Sequence, residues 1–199
     1  MEMNSDHWLL TGYWILFTIV HHVTASEKFK SVFRLAMGAG FKYYRLLYSG
    51  VAFISLGFVM SRQFSITSIK LDVPPWLSLY FGLPFGIIGI CLMGACIRKY
   101  FFNQSGIGVF LRNDRTAILE FHGIHKYIRH PLYLGTLQLI WSAFLFFPLL
   151  SNLLACVVIN AYIVIGIRFE ERKLVTIFGK AYESYRKKTP RLIPNFHIH

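Results

Sequence analysis

Five segments of this chain approach the roughly 20 mostly apolar residues that a helix needs to cross a bilayer core: residues 8–25, 44–60, 76–97, 131–147 and 149–167. In hydrocarbon every backbone N–H and C=O must be satisfied internally, so such runs admit helices and exclude irregular chain or open sheet. Composition agrees: 55% of the residues are hydrophobic and 15% charged, against about 25% charged in ordinary soluble domains. The Phe, Tyr and Trp side chains supply lipid-facing bulk and interfacial anchors. The expected fold class is an all-α integral membrane protein with about five transmembrane helices plus a C-terminal amphipathic helix.

A formal net charge of +12 raises the question of a nucleic-acid partner, which would need the basic residues gathered in one patch. They are segregated between loops instead. Lys28, Lys30, Arg34, Lys42 and Arg45 follow the first apolar run. Arg98, Lys99, Arg112, Arg115, Lys126 and Arg129 follow the third. Arg168, Arg172, Lys173, Lys180, Arg186, Lys187, Lys188 and Arg191 follow the fifth, which leaves only Arg62 and Lys70 elsewhere. Lys and Arg are retained on the cytoplasmic side during insertion. Five spans therefore place all three basic stretches on one face, with the N-terminus outside and the C-terminus in the cytoplasm. Membrane lipid is an expected partner, nucleic acid is not, and the bacterial inner membrane is the expected location.

The first run follows Glu2 and Asp6 and has no small-residue cleavage site before Glu27, so it reads as a retained helix rather than a signal peptide. Cys91, Cys96 and Cys156 sit inside apolar runs without the paired spacing of a zinc site or disulfide framework. They read as small buried hydrophobes, and no metal is expected.

Pro148, Ser151 and Asn152 leave a tight turn between the fourth and fifth runs, making these an antiparallel hairpin. Gly82, Gly86 and Gly89 put small residues on neighbouring turns, where another helix can approach closely, and Pro84 invites a kink. Beyond the fifth run Leu174, Ile177, Phe178, Ala181 and Tyr185 recur at helical spacing, the pattern of an amphipathic helix along the cytoplasmic interface.

Two polar clusters flank the hairpin. The first runs from Gly123 through His125, Lys126, Tyr127, Arg129, His130, Pro131 and Tyr133 to Gly135. Pro131 disfavours helix at His130 and suits a first helical turn, so Arg129 and His130 stand at the mouth of the fourth span with Tyr133 just inside. A basic stop signal with an aromatic belt would account for Lys126, Arg129 and Tyr133, but not for His130 beside Pro131. The second cluster is Arg168, Phe169, Glu170 and Glu171, where adjacent carboxylates are costly unless paired or binding something. The hairpin brings the two clusters together. A structural ion pair is the simpler account; a cleft of carboxylates, Arg, His and aromatic rings also suits a zwitterionic, cationic sulfonium cofactor.

The run from Gly123 to Gly135, followed by Glu170-Glu171, Leu174, Phe178-Gly179, Tyr182, Tyr185, Pro190 and Pro194, resembles the isoprenylcysteine carboxyl methyltransferases and phospholipid methyltransferases of membranes. In the N-terminal half His21-His22, Ala25-Ser26, Lys30, Tyr44-Arg45-Leu46 and Tyr48 are similar to the front of methanethiol S-methyltransferases. The resemblance implies one membrane domain, with residues 1–75 on the substrate side and 76–199 as the cofactor-binding core. It implies S-adenosylmethionine as cofactor and a small or hydrophobic acceptor, a thiol or an isoprenylcysteine-like carboxylate.

Carried onto this chain, the cofactor-binding set is His125, Tyr127, Arg129, His130, Pro131, Tyr133, Glu170 and Glu171, and the catalytic set is Arg168, Glu171 and His130. Arg129 would neutralise the cofactor carboxylate, Glu170 or Glu171 would bind its amino group, and Tyr133 would pack on the sulfonium or adenine. His130 would hold the pocket or help accept the substrate proton. His21 and His22, deep in a span, are candidates to line a substrate cavity or to pack as neutral histidines. The rival readings are a membrane reductase using NADPH, of the sterol reductase type, and a non-catalytic transporter or assembly protein.

Overall fold

The computed structural model describes residues 5–105 and 119–193, without the side chains of residues 100–105. Arg112, Arg115 and Pro194, named above, lie outside the described residues. The elements are α1 (Ser5–Ala25), α2 (Glu27–Met37), α3 (Tyr44–Ser65), a short α4 (Pro75–Leu77), α5 (Leu83–Ser105), α6 (Pro131–Phe146), α7 (Leu150–Phe178) and α8 (Lys180–Lys188). A 3-10 turn, Gly38–Tyr43, joins α2 to α3, and an isolated antiparallel bridge pairs Lys70 with Leu149. The chain is an all-α integral membrane protein.

The five apolar runs fall in α1, α3, the α4–α5 stretch, α6 and α7. Among the described residues three helical stretches are long and apolar enough to cross a membrane, Glu27–Ser65, Pro75–Lys99 and Leu150–Phe178, and Pro131–Phe146 is apolar but shorter. The 29 residues of α7 reach roughly 43 Å at 1.5 Å per residue, past the roughly 30 Å of hydrocarbon. The excess of roughly 13 Å is enough for the polar C-terminal turns of α7 to extend past the bilayer core.

The chain divides into two compact units, one of residues 1–72, 100–115 and 147–159, the other of residues 73–99, 116–146 and 160–199. In the first, Leu10 and Trp14 of α1, Val59 of α3 and Ala155 of α7 form the core. Beside it runs a polar chain. Trp14 Nε1 donates to Gln63 Oε1 at 2.9 Å, Gln63 Nε2 donates to Asn152 Oδ1 at 2.9 Å, and Asn152 Nδ2 donates to the Phe147 carbonyl at 2.8 Å. Ser68 Oγ accepts from the Ser151 N–H at 2.9 Å and lies 3.1 Å from His7 Nε2. Polar groups away from water are costly unless partnered, and here they are spent on tying α1 and α3 to the turn before α7. His21 stacks on Phe17 and lies within hydrogen-bond distance of Tyr48 Oη, 2.9 Å from Nε2.

In the second unit the glycine stripe meets α6. A Cβ added at Gly89 would stand 2.8 Å from Leu139 Cγ and 3.1 Å from the Gly135 carbonyl, and one at Gly86 would stand 2.8 Å from Ser142 Oγ. Ser142 Oγ in turn donates to the Gly82 carbonyl at 2.7 Å. A π turn, Ser78–Gly82, lies just before Pro84 and the start of α5. Proline has no N–H and crowds the carbonyl four residues back, and the wider turn relieves both.

Gly89→Ala is expected to destabilise the protein by about 1–3 kcal/mol, because the new methyl group must push a backbone carbonyl or a packed Leu aside. Gly94→Ala on the same helix, with nothing within 4 Å of its Cβ, is expected to be neutral or stabilising by up to about 1 kcal/mol. Unfolding of both variants in detergent checks this, and equal behaviour would reject the close-approach account.

The amphipathic pattern beyond the fifth run is interrupted. The helix of the fifth span continues to Phe178, then the left-handed backbone of Gly179, φ 53°, ends it and α8 begins. The residues that α8 buries are Tyr182 and Tyr185, whereas Ala181 is exposed. Left-handed backbone is cheap only at glycine, so position 179 sets the angle at which α8 leaves α7.

Candidate functional site

The site lies within the second unit, where the start of α6, the outer end of α7 and the α8 tail converge. Pro131 is the first residue of α6, and the His130 carbonyl accepts from Leu134 N at 3.1 Å. Upstream, a 3-10 turn, Gly123–Lys126, is entered through Gly123 at φ 64°. Arg129 and His130 are held between this turn and the helix, both buried.

Glu171 is the centre of the arrangement, at 3% exposure. Its Oε1 lies 2.8 Å from Arg129 Nη2 and 3.3 Å from His130 Nε2, and its Oε2 accepts from Arg191 Nη2 at 3.0 Å and Nε at 3.2 Å. A buried carboxylate is tolerated only when paired and hydrogen-bonded, and both oxygens of Glu171 are. The tail locks the other side. Arg129 N–H donates to the Pro190 carbonyl at 2.9 Å and His130 N–H to the Arg191 carbonyl at 3.1 Å. Arg129 Nη1 donates to the Arg186 carbonyl at 2.8 Å, and Tyr185 Oη to the His125 carbonyl at 2.6 Å.

The two clusters named from the sequence therefore meet, but not every member joins. Glu170 keeps a half-exposed carboxylate 3.7 Å from His130 Nδ1. The Tyr133 ring tilts against His130, centroids 5.6 Å apart. His125 is half-buried, and that burial, the largest cause, holds its imidazole below its ordinary pKa, partly offset by a hydrogen bond with the Arg129 backbone. Tyr127 is exposed, with the Lys126 ammonium 5.9 Å from its ring centroid. Arg168 is exposed and takes no part in the ion pairs among the described residues. Lys99, hydrogen-bonded at 3.1 Å, holds the Glu120 carboxyl below its usual range.

A family model for phospholipid methyltransferases matches residues 77–181, which takes in α5, α6, the 123–130 turn and Glu171. The chain belongs to the phospholipid methyltransferase family. It is 28% identical over 187 residues to the methanethiol S-methyltransferase of Crocosphaera subtropica, covering 90% of this chain and 71% of that one. It is 34% identical over 100 residues to methanethiol S-methyltransferase 2 of Bradyrhizobium diazoefficiens, covering 49% and 35%. It is 33% identical over 114 residues to the protein-S-isoprenylcysteine O-methyltransferase of Schizosaccharomyces pombe, covering 54% and 48%. The matched stretch thus spans less than two thirds of the latter two relatives. No solved structure matches the chain.

Two residues of this phospholipid methyltransferase family member complete the cluster without having been singled out for it. From the sequence, Arg191 reads only as one of the loop charges, and Tyr182 only as part of the Phe178-Gly179, Tyr182, Tyr185 pattern. Nothing local marks Arg191, because it reaches Glu171 only through the fold of the tail. Tyr182 is 1% exposed. Burial first, and the Glu171 carboxylate second, push its hydroxyl up to about 12. Among the described residues its Oη, like Arg129 Nε, is buried with no hydrogen-bond partner.

Proposed function

We propose that the chain is an S-adenosylmethionine-dependent methyltransferase of the membrane that acts on a small thiol or an isoprenylcysteine-like carboxylate. The observation that carries the reading is the buried Arg129–His130–Glu171 cluster inside the stretch that matches the family. The acceptor class follows the names of the relatives, methanethiol S-methyltransferases and a protein-S-isoprenylcysteine O-methyltransferase. Among the described residues Arg129 Nε and Tyr182 Oη are buried without a hydrogen-bond partner, and with the half-exposed Glu170 they leave polar capacity that fits the amino-acid end of such a cofactor.

Glu171 is consumed by Arg129, His130 and Arg191, so its part is to hold the cluster in register, while Glu170 takes the cofactor ammonium. Tyr133 offers a ring face to a cation. His130, bonded to Glu171 through Nε2, forms the wall between them. Arg168, exposed on α7, is available to a carboxylate acceptor. The bound cofactor supplies a methyl group on a sulfonium. The protein then needs to orient donor and acceptor in line, exclude water and accept one proton from a thiol acceptor, none from a carboxylate.

The location is the bacterial inner membrane, N-terminus outside and C-terminus cytoplasmic, on the strength of the segregated Lys and Arg. Reporter fusions after Arg191 and between residues 62 and 75 test it, and an external tail would reject it. For activity, the protein in nanodiscs is expected to transfer a labelled methyl group to methanethiol or to N-acetyl-S-farnesylcysteine. S-adenosylhomocysteine at 100 times its Kd is expected to stabilise it by about 2.7 kcal/mol. Stabilisation by NADPH instead would favour a reductase, and no ligand effect with no transfer would favour a non-catalytic protein.

A further inference from the structure

The helical stretch Glu27–Ser65 is longer than one crossing needs. α3 supplies 22 of its residues, enough for the hydrocarbon by itself, and α2 is of another kind. Local signals define both its ends: Ser26 Oγ accepts from Phe29 N–H at 3.3 Å, and Gly38 at φ 49° stops it. None of its 11 residues is buried. A helix that short is marginal in water, so α2 needs a surface to rest on. α3 covers only part of it. Phe29 stacks on Phe33, centroids 4.6 Å apart, and Phe33 tilts against Tyr44 at 5.6 Å. Val32 and Leu35 stay 62% and 88% exposed, and with Lys28 they form one stripe at i, i+4 and i+7.

Tyr44 Oη donates to the Thr24 carbonyl, which sets the first turn of α3 level with the last turn of α1. The two helices pack against each other, so residues 26–43 connect them at one end of the pair. That connection is basic. Lys28, Lys30, Arg34, Lys42 and Arg45 stand against Glu27, the sole acid between residues 26 and 45, and Glu27 offsets Lys30 at 3.2 Å. The Arg34 guanidinium lies 4.8 Å from the Phe41 ring centroid, which holds α2 to the 3-10 turn. An apolar stripe beside cations at the end of a helix pair describes an element lying in the headgroup layer, and the cationic surplus selects the sign of the headgroup. We propose that α2 and the turn Gly38–Tyr43 bind anionic phospholipid at the membrane surface. Val32 and Leu35 enter the acyl boundary, and Lys28 and Lys42 meet the phosphates. This surface belongs to the first unit and does not depend on the methyltransferase reading.

The test is hydrogen exchange of the α2 amides in nanodiscs of phosphatidylcholine and of equimolar phosphatidylcholine and phosphatidylglycerol. Phosphatidylglycerol is expected to slow that exchange about tenfold or more, since each Lys or Arg near an anionic surface contributes about fivefold. Added salt should shrink the gap. Lys28→Gln together with Lys42→Gln should lose most of the slowing, while the Ser26 cap, the Glu27–Lys30 pair and Arg34 stay in place. Leu35→Glu keeps every cation and should speed exchange in both lipids, because a carboxylate is costly to bring into the acyl boundary. The amides of α3 report on the fold and should not change in any variant. Equal α2 exchange of the wild type in the two lipids would remove the anionic preference. Exchange insensitive to Leu35→Glu would take α2 out of the lipid and leave its apolar stripe to a protein partner. Either result overturns the proposal.

Discussion

Glu171→Gln is expected to cost the folded protein about 3–5 kcal/mol, the usual price of breaking a buried ion pair from one side. The substitution keeps the volume but leaves the Arg129 guanidinium, which is 5% exposed at the side chain, without its anion. It also withdraws the acceptor shared by His130 and Arg191. Arg129→Gln should approach the same cost, since it strips the carboxylate of its closest partner. The two together should not cost the sum. A contact of 2.8 Å between buried charges predicts a coupling of at least about 1 kcal/mol, within the range for residues in contact. Unfolding of wild type, both single variants and the double variant in detergent supplies the cycle. The same four proteins titrated with S-adenosylhomocysteine extend it to binding. Additive costs in both series would mean that the pair neither stabilises the site as a unit nor shares a ligand.

Truncation after Lys188 should lower stability by about 2–5 kcal/mol, because buried N–H groups left without acceptors lose far more than the net worth of a bond. The cut removes the Pro190 and Arg191 carbonyls that receive Arg129 N–H and His130 N–H, and with them the Arg191 guanidinium on Glu171. Arg191→Gln separates the parts. It keeps both carbonyls and removes only a half-exposed cation, for which a loss of about 1 kcal/mol is the expectation. Thermal melts of the two variants side by side decide it. A truncated protein as stable as Arg191→Gln would show that the backbone pairing contributes nothing.

Helical class, the lipid environment and the meeting of the two polar clusters were all legible in the sequence, because each rests on local rules. Apolar run length sets the spans, and Pro131 sets the start of α6 whatever surrounds it. A three-residue turn between α6 and α7 obliges the far ends, His130 and Glu171, to face each other. The glycine stripe likewise announced a close neighbour, although only the structure names α6 and the Gly135 carbonyl as that neighbour.

The tail was beyond such rules. Periodicity saw one amphipathic helix through residues 174–185, and a single backbone angle at Gly179 broke it into two elements. Which of Glu170 and Glu171 is buried cannot be read from adjacent identical residues. The choice follows from the rotation of α7 against Arg129, and Glu171 is the one turned inward. Arg191 enters the site for the same reason, across a separation of 20 residues in the chain to Glu171. Sequence fixes which groups a segment can offer, since that depends on neighbours one or two turns away. Which of them share one buried charge depends on how distant segments pack, and only the tertiary structure decides that.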